Sequence, residues 1–491
     1  MGKYFLRRIL IFIPTLVLIT LLGFTLSQYM PGDPVDRLLT SASAGGELLQ
    51  QSQSMQQQKR LWRHKLGLDL PVFYVHITSL AEPDTLYRIY PKSVRNAMER
   101  LIATYGNWPE IQQYRMALEH LTSLHNNLDP DSGFYAGAHP DSVLATLNRC
   151  MFESTGLLSI YDPDQLEVRF KQLATDYGKY ACLRPFASAL ADVRTALGRV
   201  REHPAKWKAY VPVLRFYGNN QYHRWMFGDG EFSRGILRGD FGISFVNRQP
   251  ISNILPSRIG WSLFFTLISV VLSYLISIPI GIRSAVKRHS RFDRLSSLFL
   301  FILYSLPGFW VATLLLMTFA NPDILPWLPA SGIAPPTGFP DGSSWWSRLM
   351  TTLPYLVLPV ICYTYSSFAF LSRTMRISMI EVQEMDFIRT ARAKGLGEGT
   401  VIYRHALRNA LLPIITVFTN LFPYAIGGSV ILETIFTIPG MGLEMYEAIM
   451  SKDHPVIIAV LTLSGVLTLV GFLLADMLYA IADPRITYDK K

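Results

Sequence analysis

The sequence predicts an all-α membrane protein: six transmembrane helices plus a mainly helical extracytoplasmic domain inserted between helices 1 and 2. Three observations carry this. The 491-residue chain is 50% hydrophobic with a mean hydropathy of +0.23, too apolar for an ordinary soluble protein and too polar for one that is all membrane. Six uncharged windows each hold the ~20 residues that cross ~30 Å of hydrocarbon as helix. With both termini in the cytoplasm, every strongly basic loop falls on one side, as the positive-inside rule requires.

The first window lies within residues 1–30, where no charge occurs between Arg8 and Asp33. A cleaved signal peptide would be shorter and end in a small-residue site. This run ends in Gln28-Tyr29-Met30-Pro31, so a retained span is expected, held inside by Lys3, Arg7 and Arg8 and kinked at Pro14. Residues 31–258 follow as an extracytoplasmic region without a span. Within it, about 79–213 read as short helices: Val94, Met98, Leu101, Ile102, Ile111, Met116, Leu118, Leu121 and Leu124 recur near helical spacing. That length suffices for a small core. Cys150 and Cys182 fall here on the oxidising side; a disulfide and two separate thiols both remain open. Asp129-Pro130-Asp131-Ser132-Gly133 lacks the remaining ligands of a calcium loop and reads as an Asp-Pro turn. Residues 259–491 hold the other five windows, Ile259–Ile282, Leu295–Pro322, Leu349–Ser372, Asn409–Leu432 and Pro455–Ala475.

The net charge of +10 fits basic cytoplasmic loops, and no zinc-type spacing or RNA-binding motif points to nucleic acid. Three cysteines cannot make a disulfide framework. No Walker A pattern occurs, so any ATP and Mg must sit on partner chains, and no cofactor, metal or catalytic residue is expected on this one.

The loop 373–408 carries seven basic residues between two spans. Its first half, from Glu381, reads as helix; Gly395, Gly397 and Gly399 break it. Thr400 can cap a second short helix running into the span at Pro413. Such a helix–break–helix can present a knob to a soluble partner, or be only a basic loop. Arg389-Thr390-Ala391-Arg392-Ala393-Lys394-Gly395-Leu396, followed by Arg404-His405 and by Leu412-Pro413, resembles the cytoplasmic loop of permease subunits of ABC importers, in the dipeptide/oligopeptide (peptide/nickel) branch. Arg389-Thr390-Ala391 stands where sugar-type importers have an EAA triplet, and the longer gap to Leu412-Pro413 narrows the branch. The segments 66–71 and 236–255 resemble that family's first external loop, but the insertion separates them.

The resemblance implies a type I permease fold of six spans and one half of a pore for peptides or similar solutes. It implies a second homologous permease, two ABC ATPases and an extracytoplasmic solute-binding protein as partners, in the lipid bilayer of the cytoplasmic (inner) membrane. It makes Thr390, Ala391, Ala393, Lys394, Gly395, Arg404, His405, Leu412 and Pro413 the positions that couple to the ATPases. A membrane-anchored receptor or scaffold using the insertion is the alternative, and a secondary transporter would show charges inside its spans.

Polar groups in spans are scarce and therefore informative. Thr416, Asn420 and Ser429 are candidates to line a passage, or to bond between helices; Gly427-Gly428-Ser429 is expected to continue the same helix. Ser305-Leu306-Pro307-Gly308 is a candidate bend in the third span. Glu433, Pro439 and Gly440 resemble the family's short external gate, which dips back toward the pore; an interfacial turn is the other reading.

Overall fold

The computed structural model describes residues 2–29, 35, 39, 52–126, 128, 139–340, 342–426 and 428–482. The Asp129–Gly133 turn, Gly427 and the closing segment 483–491 lie outside them. The chain divides into two compact units, one of 1–34 with 239–491 and one of 35–238.

In the first unit, α1 (Gly2–Gln28) carries Pro14 inside it. It is followed in the chain, after the second unit, by α9 (Ile251–Val286), α10 (Arg291–Ser305), α11 (Gly308–Phe319), α12 (Trp345–Gln383), α13 (Asp386–Ala393) and α14 (Glu398–Thr400). A π-helical turn, Val401–Ala406, leads into α15 (Leu407–Ile426); α16 (Val430–Phe436), α17 (Met441–Ser451) and α18 (His454–Ala482) complete the unit.

Three of these helices, α1, α9 and α18, are long and apolar enough to cross a membrane. The number is five if the bent pair α10/α11 and the two halves of α12 each count as one span, among the described residues. The expected third window is not a single rod: α10 and α11 meet at 99°, at Leu306-Pro307. Proline forces the residue before it out of the helical region, and Leu306 is extended accordingly. The fifth window is likewise divided. α15 ends at Ile426, Gly428 has φ +78°, and Ser429 starts a new helix, so the helix breaks at Gly428-Ser429 and does not continue through them.

α9 and α12 pack most extensively. Ser262, Ser269, Ser273, Ser277, Gly281 and Ser284 form a buried stripe along α9, at helical spacing. Small residues let backbones approach closely where lipid offers no hydrophobic drive. A Cβ on Gly281 would lie 2.6 Å from Met375 Cβ and 2.9 Å from the Ser372 carbonyl. α1 meets α18 in the same way, Gly465 against Ile19.

The second unit is a helical bundle on a two-stranded neck. α2 (Ser52–Leu66) and β1 (Val75–Ser79) precede α3 (Lys92–Tyr105), α4 (Trp108–Asn126), α5 (Pro140–Leu157), α6 (Pro163–Gly178) and α7 (Arg184–Glu202); β2 (Pro212–Phe216) and α8 (Gln221–Phe227) close it. Met98, Leu101, Ile102, Ile111, Tyr114, Leu118, Leu121, Phe170, Leu173, Phe186 and Val193 are buried in one core, matching the helical periodicity of the sequence, whereas Met116 points outward. The strands pair antiparallel from Val75 opposite Phe216 to Ser79 opposite Pro212, so the two ends of the 79–213 stretch are adjacent. The flanking pieces also meet: Gln221 N donates to Pro71 O at 2.8 Å, and Arg224 Nη1 to His64 O at 3.0 Å. No disulfide joins Cys150 and Cys182. Cys150 is a free thiol in the core of α5, and Cys182 is a half-buried free thiol at its edge.

Candidate functional site

The loop 373–408 is built on an apolar underside. Ile388 and Ala391 of α13 and Val401, Ile402 and Ala406 of the π turn are buried, packed with Ile282 and Ala285 of α9 and with Met375, Met379 and Val382 of α12. Above that layer, Arg389, Thr390 and every residue from Arg392 to Thr400 are exposed. Phe387, Leu396 and Tyr403 add exposed apolar surface.

α13 ends because Gly395 takes φ +79°, a left-handed conformation that costs other residues free energy. Nothing lies within 4 Å of where its Cβ would be, so this glycine is required by the turn and not by crowding. Arg392 and Glu398 bridge the break with two bonds, Nε to Oε1 at 2.8 Å and Nη2 to Oε2 at 3.3 Å. Thr400 does not cap the second helix. It already has helical φ and ψ, and Gly397 O accepts from Thr400 N and Val401 N.

Of the expected coupling positions, Thr390, Ala393, Lys394 and Gly395 share this one exposed surface. Ala391 faces inward as packing. Arg404 is exposed and His405 half-buried on the π turn; Leu412 and Pro413 lie further along, on α15.

A clamp at the neighbouring loop went unread in the sequence. Asp293, 3% exposed, receives Arg376 Nε at 2.6 Å and Nη2 at 2.9 Å, the Ser284 hydroxyl and His289 N at 2.9 Å. It ties the start of α10 to α9 and α12. Arg288 reaches Glu384 beside it at 3.3 Å. A lone acid in a basic loop was the available signal.

The expected pore and gate residues separate. Thr416 is exposed on α15, its hydroxyl donating to Leu412 O at 3.1 Å. Asn420 lies on the same helix, its side chain outside the described residues. Ser429, Glu433 and Gly440 gather instead around one carboxylate. Glu433 is fully buried. Its Oε1 accepts from Ser262 Oγ at 2.8 Å, Ser429 N at 3.2 Å and Tyr363 OH at 3.3 Å. Its Oε2 accepts from Gly442 N at 2.6 Å and Leu443 N at 3.1 Å. Ser262 Oγ in turn accepts from Met441 N at 2.8 Å. Ser429 is thus a cap, accepting from Leu432 N at 3.3 Å, and Glu433 a fastener.

Gly440 is buried, a Cβ there would lie 2.5 Å from the carboxylate, and Pro439 is half-buried beside it. The segment 429–443 is therefore pinned to α9 and α12 by charge-assisted bonds, the strong kind. Two further acids extend the same end: Glu444 pairs with Arg258 at 2.8 Å, and Asp453 accepts from Ser244 Oγ at 2.5 Å and Phe245 N at 3.1 Å. Among the described residues no His/Cys/Asp/Glu group is placed to hold a metal.

Residues 277–488 match the profile of the family described as "Binding-protein-dependent transport system inner membrane component". The oligopeptide transport system permease protein AppB of Bacillus subtilis is 38% identical over 280 residues, covering 57% of this chain and 81% of that protein. The dipeptide transport system permease protein DppB of Alkalihalophilus pseudofirmus is 35% identical over 271 residues, 53% of this chain and 80% of that one. The solved structure of inward-facing conformations of the MetNI methionine ABC transporter aligns at TM-score 0.35 and 16% identity, over 47% of this chain and 98% of that chain, too distant a likeness to fix the fold. With more than two thirds of AppB covered at 38% identity, the chain belongs to the family of binding-protein-dependent transport system inner membrane components.

Proposed function

We propose that this chain is one half of the membrane pore of an ATP-driven importer for peptides or similarly sized solutes. A second homologous permease completes the pore, two ATPases holding ATP and Mg dock on residues 385–404, and a solute-binding protein delivers cargo from outside. Both termini and the segment 373–408 lie in the cytoplasm, and the 79–213 insertion lies outside. The chain itself carries no catalysis. Thr390, Ala393, Lys394, Gly395 and Arg404 face the ATPase, while Ala391, His405, Leu412 and Pro413 seat that surface on the spans. Thr416 and Asn420 stand on the helix that borders the passage, and Glu433, Pro439 and Gly440 hold its outer gate.

The observation that carries this reading is the exposed surface from Arg392 to Thr400 set on a fully apolar underside. A docked ATPase that moves this knob moves α9 and α12 with it, because the knob shares their core. The relatives' names supply the cargo class. The test is to purify the chain with its genomic-neighbour ATPases and binding protein, reconstitute them, and measure peptide uptake and ATP hydrolysis. Uptake that requires ATP and the binding protein supports the reading. A chain that recruits no ATPase and passes no peptide overturns it.

A further inference from the structure

Two adjoining cavities run along one face of α9. The first, about 580 Å³, is lined by Ile282, Arg283, Lys287, Ile402, Tyr403 and Leu407 among others. The second, about 540 Å³, is lined only by aliphatic residues and proline apart from Tyr274, whose hydroxyl is committed to Ile414 O at 3.0 Å. They share Ile278 and Pro279, so they form one groove. Residues 271, 275, 278, 282 and 286 fall on one stripe of the helix. Val271 and Leu275 are 59% and 67% exposed, which leaves the apolar half open to the side.

The groove is polarised by charge. No acidic residue lines it. Arg288, on the next turn, has Glu384, but neither Arg283 nor Lys287 has an ion-pair partner among the described residues. Arg283 is steadied by the Phe292 ring, 4.8 Å from its guanidinium carbon. The lengths also fit. From Val270 to Pro279 the helix rises about 14 Å, close to half of the ~30 Å hydrocarbon core, and Lys287 lies about 12 Å further, at headgroup depth.

We propose that this groove binds one anionic phospholipid of the inner leaflet, with an acyl chain along Val270–Pro279 and the phosphate at Arg283, Lys287 and Tyr403. The leaflet, though not the site, rests on the cytoplasmic placement of residues 373–408. Basic pockets at the cytoplasmic ends of spans suit such headgroups. The lipid touches α9 on one wall and the π turn of the coupling segment on the other. It therefore fills the notch at the hinge of the knob, and π turns recur at functional sites.

The test uses the full transporter, purified with its partner chains and exchanged into phosphatidylcholine–phosphatidylglycerol nanodiscs. Native mass spectrometry then counts the phosphatidylglycerol retained after delipidation. The wild type should keep one molecule per permease that the Arg283→Gln/Lys287→Gln variant loses. Leu275→Trp, which fills the apolar half and keeps both cations, should lose it too. Equal retention in all three overturns the proposal. So does loss of the lipid to inorganic phosphate alone, and so does a disulfide from Val271→Cys to a partner chain in the assembled transporter, which would mean that protein fills the groove. None of these readouts depends on uptake, so they stand apart from the importer reading.

Discussion

Arg376 holds Asp293 with two nitrogens, Nε on Oδ1 at 2.6 Å and Nη2 on Oδ2 at 2.9 Å, across the start of α10 and the long helix α12. Removing one partner of a buried pair leaves a charge without compensation. Arg376→Ala should therefore destabilise the protein by on the order of 3 kcal/mol, the low end for buried pairs because the arginine side chain stays 26% exposed. Arg376→Lys should recover part of that. Thermal denaturation in detergent, followed by size exclusion, measures both; an unchanged midpoint for the alanine variant would show the clamp to be idle.

At Glu433 the contrast is between acceptor and donor. Glu433→Gln turns an amide NH2 toward backbone N–H groups or hydroxyls that need an acceptor, and a buried unsatisfied group costs about 1–3 kcal/mol. Gly440→Ala should do similar damage from the other side, since its Cβ would strike the carboxylate at 2.5 Å. Hydrogen exchange over 429–443 should rise in both variants. Native-like protection in either would refute the fastening role.

Gly395 separates two effects that mutation usually confounds. Gly395→Ala incurs only the left-handed backbone penalty, about 1 kcal/mol, in open space, so ATPase co-purification should stay near wild type. Gly395→Arg adds a long cation to the exposed surface and should reduce co-purification at least tenfold with the membrane level unchanged. Equal recovery of ATPase by both variants would sink the docking assignment.

The insertion should loosen in mild acid. His125 is buried against Phe186, ring centroids 4.4 Å apart, and its Nε2 meets Tyr177 OH at 2.8 Å. Burial pushes its pKa down from 6.5 to about 4. The unfolded chain therefore takes up a proton that the folded one refuses between pH 6.5 and 4. Stability from this residue is full above 6.5, falls by up to about 3 kcal/mol across that window, and changes no further below it. Hydrogen exchange of α4 and α7 at pH 7.5 and 5 checks this, and His125→Phe should flatten the response.

Topology can be read by thiol labelling with a low background. Cys150 and Cys362 are buried, and burial raises the Cys150 thiol to about 11, which suppresses the reactive thiolate. With Cys182 replaced by serine, a cysteine at Thr155 should react with an impermeant reagent in whole cells and one at Gly397 should not. The opposite pattern would invert the membrane orientation.

Periodicity and charge made most of the architecture legible. Uncharged windows located the long apolar helices α1, α9 and α18, and helical spacing from Val94 to Leu124 foretold α3 and α4. Interruptions were harder, because hydropathy averages over them. The break at Gly428 sits inside an uncharged window, whereas the right angle at Leu306-Pro307 falls on the Ser305-Leu306-Pro307-Gly308 stretch that its proline marked as a candidate bend. In the site, glycine marked the turn at 395, but Thr400 looked like a cap by residue type alone, while the backbone carbonyl of Gly397 took that task. Glu433 read as a gate residue because Glu433, Pro439 and Gly440 resemble the family's short external gate. Only the fold reveals that Ser262, 171 residues earlier, is waiting for it.

The neck of the insertion carries a consequence for assembly during synthesis. β1 leaves the ribosome roughly 130 residues before β2, and closing so long a loop costs about 4 kcal/mol of chain entropy. The strands alone are too short to meet that, so the helices between them must collapse first and bring Ala205 to Tyr105 and Val211 to Leu80. The first span therefore waits on a tether until the helical bundle has folded, and only then is it drawn toward its later neighbours. A nascent-chain force profile should show a pull once α7 has cleared the exit tunnel and before Phe216 has; a pull that appears only when Phe216 is out would reverse that order.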